Sequence, residues 1–480
     1  MVFESAPGRL SDGMYMSIAR RDFLRSGVAL AAVAASSGCE SLAVRPPPKP
    51  TGGWDLVPGI LARIVPPQFA ERDFVVTDFG AVGNGSVDCY RAFAEAIAAC
   101  NKAGGGRVVV PAAESFYLVD GPIHLLSNVN LYLAEGSEVR FGTNPASYLP
   151  VVLIRYQGIR CYNYSPLIYA YQQTNIAITG SGAFDGQAYY WRDWEQLADP
   201  DWDLLQNMVG EGVPVEKRIF GPDHHLRLTM FEPYDCKNIL VQGVTFKESP
   251  FWTMHPVFCS NLTIQDVEVW PGQSNDDGCD PDSCIDVLIE NCTFTTNDDN
   301  FSLKAGSGAD ADGLHACENI VIQNCKTVMS EWGGFTIGSD TGSVVQNVFV
   351  QNCQIGRCNS AFYIKSSSIV GGAVKDVYIR SCQAGKCGHF FVIDSAYNGQ
   401  QGRTPPLFTN INLEGVSCDA VDSIAFLLEG DDRNPILTVS LSDIAIGKAR
   451  SVQSVENALF VTSSNVTVDG KKVSIEGLLP

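Results

Sequence analysis

NIVIQNCKT from Asn319, NVFVQNCQI from Asn347 and DVYIRSCQA from Asp376 are three versions of one unit: a polar residue, alternating aliphatics, then a polar residue and a cysteine. The same pattern opens NILVQGVTF at Asn238, NLTIQDVEV at Asn261, DVLIENCTF at Asp286 and NINLEGVSC at Asn410, with NIAITG at Asn175 as an earlier copy. From Asn238 onward the starts lie roughly 23 to 34 residues apart, the range of a solenoid repeat. Within each unit the alternation has period two, so each is a short strand with one face in and one face out. Short strands repeated head to tail and separated by Gly, Asn, Asp and Ser predict an all-β chain coiled as a parallel β-helix.

The 16 cysteines of this 480-residue chain invite a disulfide framework, but their placement argues otherwise. Cys292, Cys325, Cys353 and Cys382 hold the same position in consecutive units, with Cys418 close to it in the next. Identical residues in register stack at the ~4.8 Å spacing of neighbouring strands, and a small thiol suits a tight interior. A buried thiol ladder is expected. The pairs Cys353/Cys358 and Cys382/Cys387 read as one further position shared by two coils, and no spacing suits zinc.

A net charge of -20 with no Lys/Arg-rich block excludes the electrostatic footprint of a nucleic-acid binder. Arg20-Arg21 in ARRDFLRSG, followed by the short Ala-rich run to Gly38, reads as a twin-arginine export signal over residues 1–39. Cys39 in SSGC is a candidate lipidation site, so the protein is expected in the periplasm or anchored at the outer membrane as a lipoprotein. A Pro-rich linker and extension follow over 40–72, and a single domain is expected over 73–480. Apolar residues at helical spacing from Tyr90 to Cys100, stopped at Gly104-Gly105-Gly106, predict one amphipathic helix. It would cap the open end of the first coil.

Several stretches together resemble glycoside hydrolase family 28, the polygalacturonase family, and its bacterial exo-acting branch in particular. They are DFGAVGNGS from Asp78, KAGGGRVVVPA from Lys102, SPFWTMHPVFC from Ser249, SNDDGCDPDSC from Ser274 and TNDDNFSLKAG from Thr296. The resemblance runs from about Asp73 to beyond Tyr397 and implies a right-handed parallel β-helix with a cleft along one face. It implies glycosidase activity on a pectic glycan, galacturonan or rhamnogalacturonan in type, without cofactor or metal, by a chain acting as a monomer.

By motif, the resemblance makes Asp298 the general acid and Asp277 and Asp299 the pair that holds and activates water, with inversion. Asp277, Asp299, Trp332 and Lys365 are spaced by about one coil each, which predicts a single column on one face. Clustered carboxylates oppose joint ionisation, so one should stay protonated near neutrality, as glycoside hydrolysis requires. Asn275 and Lys304 would support these groups. Asp280, Asp282 and Asp286 are expected to stabilise turns, and His255 to support the core.

The departures bear on substrate. The family's Gly-His-Gly-Gly is here Glu331-Trp332-Gly333-Gly334, and its Arg-Ile-Lys is Tyr363-Ile364-Lys365. A bidentate carboxylate ligand is thereby lost, leaving Lys365 beside the aromatic faces of Trp332 and Tyr363. A rhamnose-bearing or otherwise modified pectic glycan fits better than plain polygalacturonate. Arg357 and Arg380 are cations that could restore charge, with surface solvation the competing reading. Tyr397 matches a family tyrosine near the substrate. An insertion-rich stretch from Tyr189 to Met230, with Trp191, Trp194, Trp202, His224, His225 and the candidate substrate ligand Arg227, could wall one end of the cleft. Two other readings stand: a polysaccharide lyase on the same architecture, with Asp298-Asp299 able to bind calcium, and a weakly active or inactive glycan-binding relative.

Overall fold

Each repeat unit forms a strand that pairs in parallel with the unit before and after it. The computed structural model describes residues 52–311 and 315–477; the expected export signal, Cys39 and most of the Pro-rich tether lie outside them. Ile239, Leu262, Val287, Ile320, Val348, Val377, Ile411 and Val439 are direct partners in eight successive coils. All eight are buried. This is a parallel β-helix: three parallel ladders enclose one continuous apolar core.

The polar residue that opens each unit is there for a backbone reason. Asn238, Asn261, Asp286, Asn319, Asn347, Asp376 and Asn410 all have φ between 54° and 61°. Among residues with a side chain, Asn and Asp tolerate this left-handed turn best. The amides then bond from coil to coil: Asn261 Nδ2 donates to Asn238 Oδ1 at 2.8 Å, and Asn238 Nδ2 to Asn175 Oδ1 at 2.9 Å.

The cysteines behave as their register predicts. Thr293, Lys326, Gln354 and Gln383 are partners, so Cys292, Cys325, Cys353 and Cys382 just before them stack. Each thiol donates to the carbonyl two residues earlier, at 3.2–3.3 Å. Cys358 pairs with Cys387 in the next coil. All fifteen cysteines among the described residues are buried and free.

The capping helix runs Tyr90–Lys102 and buries Ala92, Phe93, Ala96, Ile97 and Cys100. It ends where Gly105 takes φ 106°, and a Cβ there would lie 2.5 Å from the Asn128 carbonyl oxygen. At the other end the strand Ala458–Val468 folds back on Lys471–Val473 as an antiparallel pair, which closes that edge.

The extension before residue 73 is more than a linker. A short helix, Val57–Arg63, buries Val57 and Ile60, which join Ile64 against Val321 and Phe349 on the outside of the coils. Arg63 pairs with Asp286 at 2.6 Å. Arg380 lies 3.7 Å from the centre of the Trp54 ring and bonds Gln351, so it serves this docked segment. Among the described residues no helix is long and apolar enough to cross a membrane.

Candidate active site

The third ladder carries the chemistry. Cys279, Phe301, Phe335, Phe362 and Phe391 are in register, so two residues earlier Asp277, Asp299, Gly333 and Ser360 fall in one row. Asp277 and Asp299 are therefore neighbours on adjacent coils, as their spacing predicts. Trp332 and Lys365 do not belong to that row, which corrects the four-residue column. The coils differ in loop length, so equal sequence spacing does not mean equal register. Lys365 instead shares a row with Gly338 and Lys304 at the far end of the strand, and its long side chain reaches back.

Oxygens of Asp277, Asp298 and Asp299 lie within 4.8 Å of one another. Each carboxylate is held differently. Asp299 accepts the Gly333 N–H through Oδ1 at 2.8 Å and the Lys365 ammonium through Oδ2 at 2.9 Å. Asp277 faces Lys304 at 3.4 Å. Asp298, half-buried, accepts from Asn275 Nδ2 at 3.1 Å and from the Asp299 N–H at 2.8 Å. Ser330 and Thr296 both donate to its carbonyl.

The electrostatics separate the three. Burial, reinforced by Asp277 and Asp299, pushes the Asp298 carboxyl up to about 8. Burial also raises Asp277, but Lys304 opposes it and holds the group at about 6. Burial disfavours the charge on Lys365, yet Asp299, Tyr397 and Asp298 together outweigh it and keep the ammonium well above its ordinary range. Lys304 behaves alike, with Asp280 and Asp277 outweighing burial. Near neutrality the arrangement supplies a protonated acid, Asp298, beside the Asp277 carboxylate, with two ammonium groups behind the trio.

These groups open on a cavity of about 270 Å³. Asn275, Asp277, Asp298, Asp299, Lys304, Lys365 and Tyr397 line it, as the sequence predicts. Three other expected residues stand outside that lining. Arg227 is buried and bonds Asn275 Oδ1 at 2.6 Å. Tyr363 stands with its ring centre 5.1 Å from the Lys365 ammonium and its hydroxyl on Asp394. Trp332 is 50% exposed, directly before the glycine that bonds Asp299.

The family model of glycosyl hydrolases family 28 matches residues 225–466, which contain the whole acidic trio and both lysines. The chain belongs to this family. It is therefore a glycosidase, acting on glycosidic bonds. The chain is similar to a hyperthermoactive exopolygalacturonase of Thermotoga maritima, at 33% identity and TM-score 0.83 over 88% of this chain and 98% of that one. An endo-polygalacturonase of Pectobacterium carotovorum subsp. carotovorum is 24% identical over 72% of this chain and 82% of its own length. The family 28 exopolygalacturonase of Yersinia enterocolitica shares the fold, with TM-score 0.70 at 19% identity over 85% and 77% of the two chains.

As a family 28 site it holds residues that sequence reasoning missed. Asp276 accepts the N–H groups of Asn297 and Asp298 at 2.7 and 2.9 Å and that of Gly272 at 2.6 Å, stapling the loop that aims the acid. Its place beside Asp277 was visible, but its direction was not. Asp280 and Asp282 do not serve turns as expected. Asp282 forms a fully buried pair with Arg155 at 2.9 Å and lies 3.5 Å from His255; Asp280 is buried 3.7 Å from Lys304. Burial raises the Asp280 carboxyl far above its usual range. Only Asp286 takes the turn. Among the insertion residues, Trp202 and Gln206 on the helix Asp199–Gly210 line the cleft. Trp191 is core, and His224 is tied to Asp201 at 2.6 Å. Arg357 is exposed.

Proposed function

We propose that this chain is an exported, exo-acting hydrolase of pectic glycans that inverts configuration. The observation that carries this reading is the acidic trio facing a cleft walled by an inserted helix, with Asp298 held protonated and Asp277 and Asp299 backed by lysines. Asp298 protonates the leaving oxygen while Asp277 and Asp299 orient and deprotonate a water. The cavity falls just below the ~300 Å³ lower end of pockets for larger ligands, which suits the end of a chain.

Inversion draws its support from the bonding of the carboxylates. Their closest oxygens are nearer than the ~6.5–9.5 Å of most inverting pairs. Yet both Asp299 oxygens are engaged and Asp277 faces an ammonium, so neither is a free nucleophile. The two can share one water. Against the lyase reading, Lys304 and Lys365 are held as ammonium ions, so neither is a neutral amine base.

Tyr363 in place of the family's arginine, beside Lys365 and Tyr397, favours rhamnogalacturonan or modified galacturonan over plain polygalacturonate. The twin-arginine motif and Cys39 favour a periplasmic or lipid-anchored protein. Mass spectrometry of products from separate homogalacturonan and rhamnogalacturonan pools tests the substrate. Saturated oligomers released from chain ends are expected, and unsaturated products, or binding without turnover, would overturn the reading. NMR of the first-formed reducing sugar should show the opposite anomer to the bond cleaved.

A further inference from the structure

Behind Trp252 and Lys304 lies a second group of charges that the hydrolytic scheme does not use. Glu232, His255 and Asp282 sit on three successive coils of the third ladder, with Arg155 on the strand Val152–Tyr156 beside them. All four side chains are wholly out of solvent. Asp282 Oδ1 accepts from Arg155 Nη1 at 2.9 Å and from the Gly306 N–H at 3.0 Å, and Glu232 Oε1 accepts the Arg155 backbone N–H at 3.0 Å. The other oxygen of each acid is buried without a hydrogen-bond donor among the described residues and faces the His255 ring. Asp282 Oδ2 lies 3.5 Å from Nε2, and Glu232 Oε2 lies 3.6 Å from Nδ1. A neutral imidazole has one N–H and one lone pair, so it would turn the lone pair toward one of these anions. With both nitrogens protonated, each points an N–H at a carboxylate, and the four charges sum to zero, as a fully buried set requires. Burial opposes the charge on the ring, but Asp282 and Glu232 outweigh it and raise the imidazole above its ordinary range. Burial likewise opposes the Asp282 charge, but Arg155 and His255 hold that carboxyl below its own.

The same ring meets the site. His255 stands nearly perpendicular to Trp252, with ring centres 4.8 Å apart. The Trp252 indole lines the catalytic cavity and carries Lys304 Nζ 4.2 Å from its centre, and Lys304 lies 3.4 Å from Asp277. We infer that His255 is a positioning residue for hydrolysis: an imidazolium held between Glu232 and Asp282 fixes the Trp252 ring, which seats Lys304 against the water-activating Asp277. A cation over an aromatic face gains only ~0.5–2 kcal/mol, so it keeps its place only where the ring itself is held. His255 thus acts on the base of the trio and not on the acid Asp298. This inference rests on the hydrolase reading above.

The test has two arms. The chain has only 6 histidines, so nitrogen-15 NMR of histidine-labelled enzyme can follow each ring, and the His255 signal is the one that moves in Trp252→Leu. In wild type it should show both nitrogens protonated at pH 8, where an ordinary histidine with a pKa of ~6.5 is neutral. A neutral ring there, with the proton on Glu232, overturns the imidazolium. In the second arm, His255→Gln should lower kcat about tenfold with KM within about twofold. The acidic limb of its kcat/KM profile should move up by about half a pH unit or more, because Lys304 no longer steadies the Asp277 carboxylate. A purely structural role would reduce the amount of active enzyme and leave that limb in place. Trp252→Leu should move the limb in the same direction, and the double variant should match the single ones in kcat instead of adding to them. An unmoved limb or additive losses overturn the positioning role. If His255→Gln does not fold, the limb of Trp252→Leu and the wild-type NMR signal decide alone. Absence of any pectic hydrolysis by wild type overturns the functional reading and the positioning role with it, while the NMR arm still reads the buried cluster; hydrolysis with an unmoved limb overturns the positioning role alone.

Discussion

Lys365 Nζ lies 2.9 Å from Asp299 Oδ2, with the lysine side chain 7% and the aspartate 1% exposed. The two residues come from different rows of the same ladder, so the lysine spans the strand to meet the carboxylate. The pair supplies charge compensation that lets Asp277 and Asp298 sit beside a third buried acid.

Removing one partner of that pair leaves the other buried and uncompensated. Lys365→Met should cost about 3–5 kcal/mol of stability and abolish turnover. Denaturant unfolding and product assays check both. A variant that unfolds at the parent midpoint would show that Asp299 had found another partner or a proton.

Asp298→Asn should lower kcat by about 10²–10⁴-fold while the fold holds. The sign of its stability effect follows from the raised carboxyl. Folded Asp298 keeps its proton up to about 8, whereas the ordinary value is 3.8. Between those values the folded state binds the extra proton, so this group's contribution to stability falls as pH rises through the window. The Asn variant lacks that loss, and its melting temperature should exceed the parent's at pH 8 by more than at pH 4.

The rate profile should be bell-shaped, rising as Asp277 ionises near pH 6 and falling as Asp298 ionises near pH 8. Asn275→Ala removes a donor to the ionised form of Asp298. The alkaline limb should then move to higher pH, which kcat/KM measured across pH 5–10 in steps of about one unit would reveal. An unmoved alkaline limb would mean that Asp298 is not the group titrating there.

Gly333 is required by contact as much as by motif. A Cβ there would lie 2.4 Å from Asp299 Oδ1 and 2.0 Å from Thr336 Oγ1. Gly333→Ala should displace Asp299 and reduce kcat by about 10²-fold, with circular dichroism unchanged.

In the asparagine ladder, Asn238→Ala should cost about 1–2 kcal/mol through the left-handed turn and the lost amide bonds. Asn238→Gly should cost less, because glycine keeps the turn. Thermal unfolding of the two variants separates backbone strain from hydrogen bonding.

Much of this was legible along the chain because a solenoid repeats its local rules. The period-two strands, the Asn and Asp openings and the stacked cysteines each depend on residues within one coil. Their register follows once the period is seen. The neighbours Asp277 and Asp299 were legible for the same reason, as one short coil of about 22 residues separates them. Trp332 and Lys365 were misplaced because the next coils carry longer loops, and spacing no longer measures register.

The sequence by itself determined the parallel β-helix, its capping helix, the thiol ladder and the identity of the acidic trio, since all of these are written in period and motif. Only the tertiary structure decided that Lys365 reaches Asp299, that Asp276 staples the acid's loop, that Asp282 meets Arg155, and that His255 lies between Glu232 and Asp282. The pairing of Asp282 with Arg155 joins residues 127 apart. Burial, direction and charge compensation depend on what lies across the coil, and no local pattern encodes that.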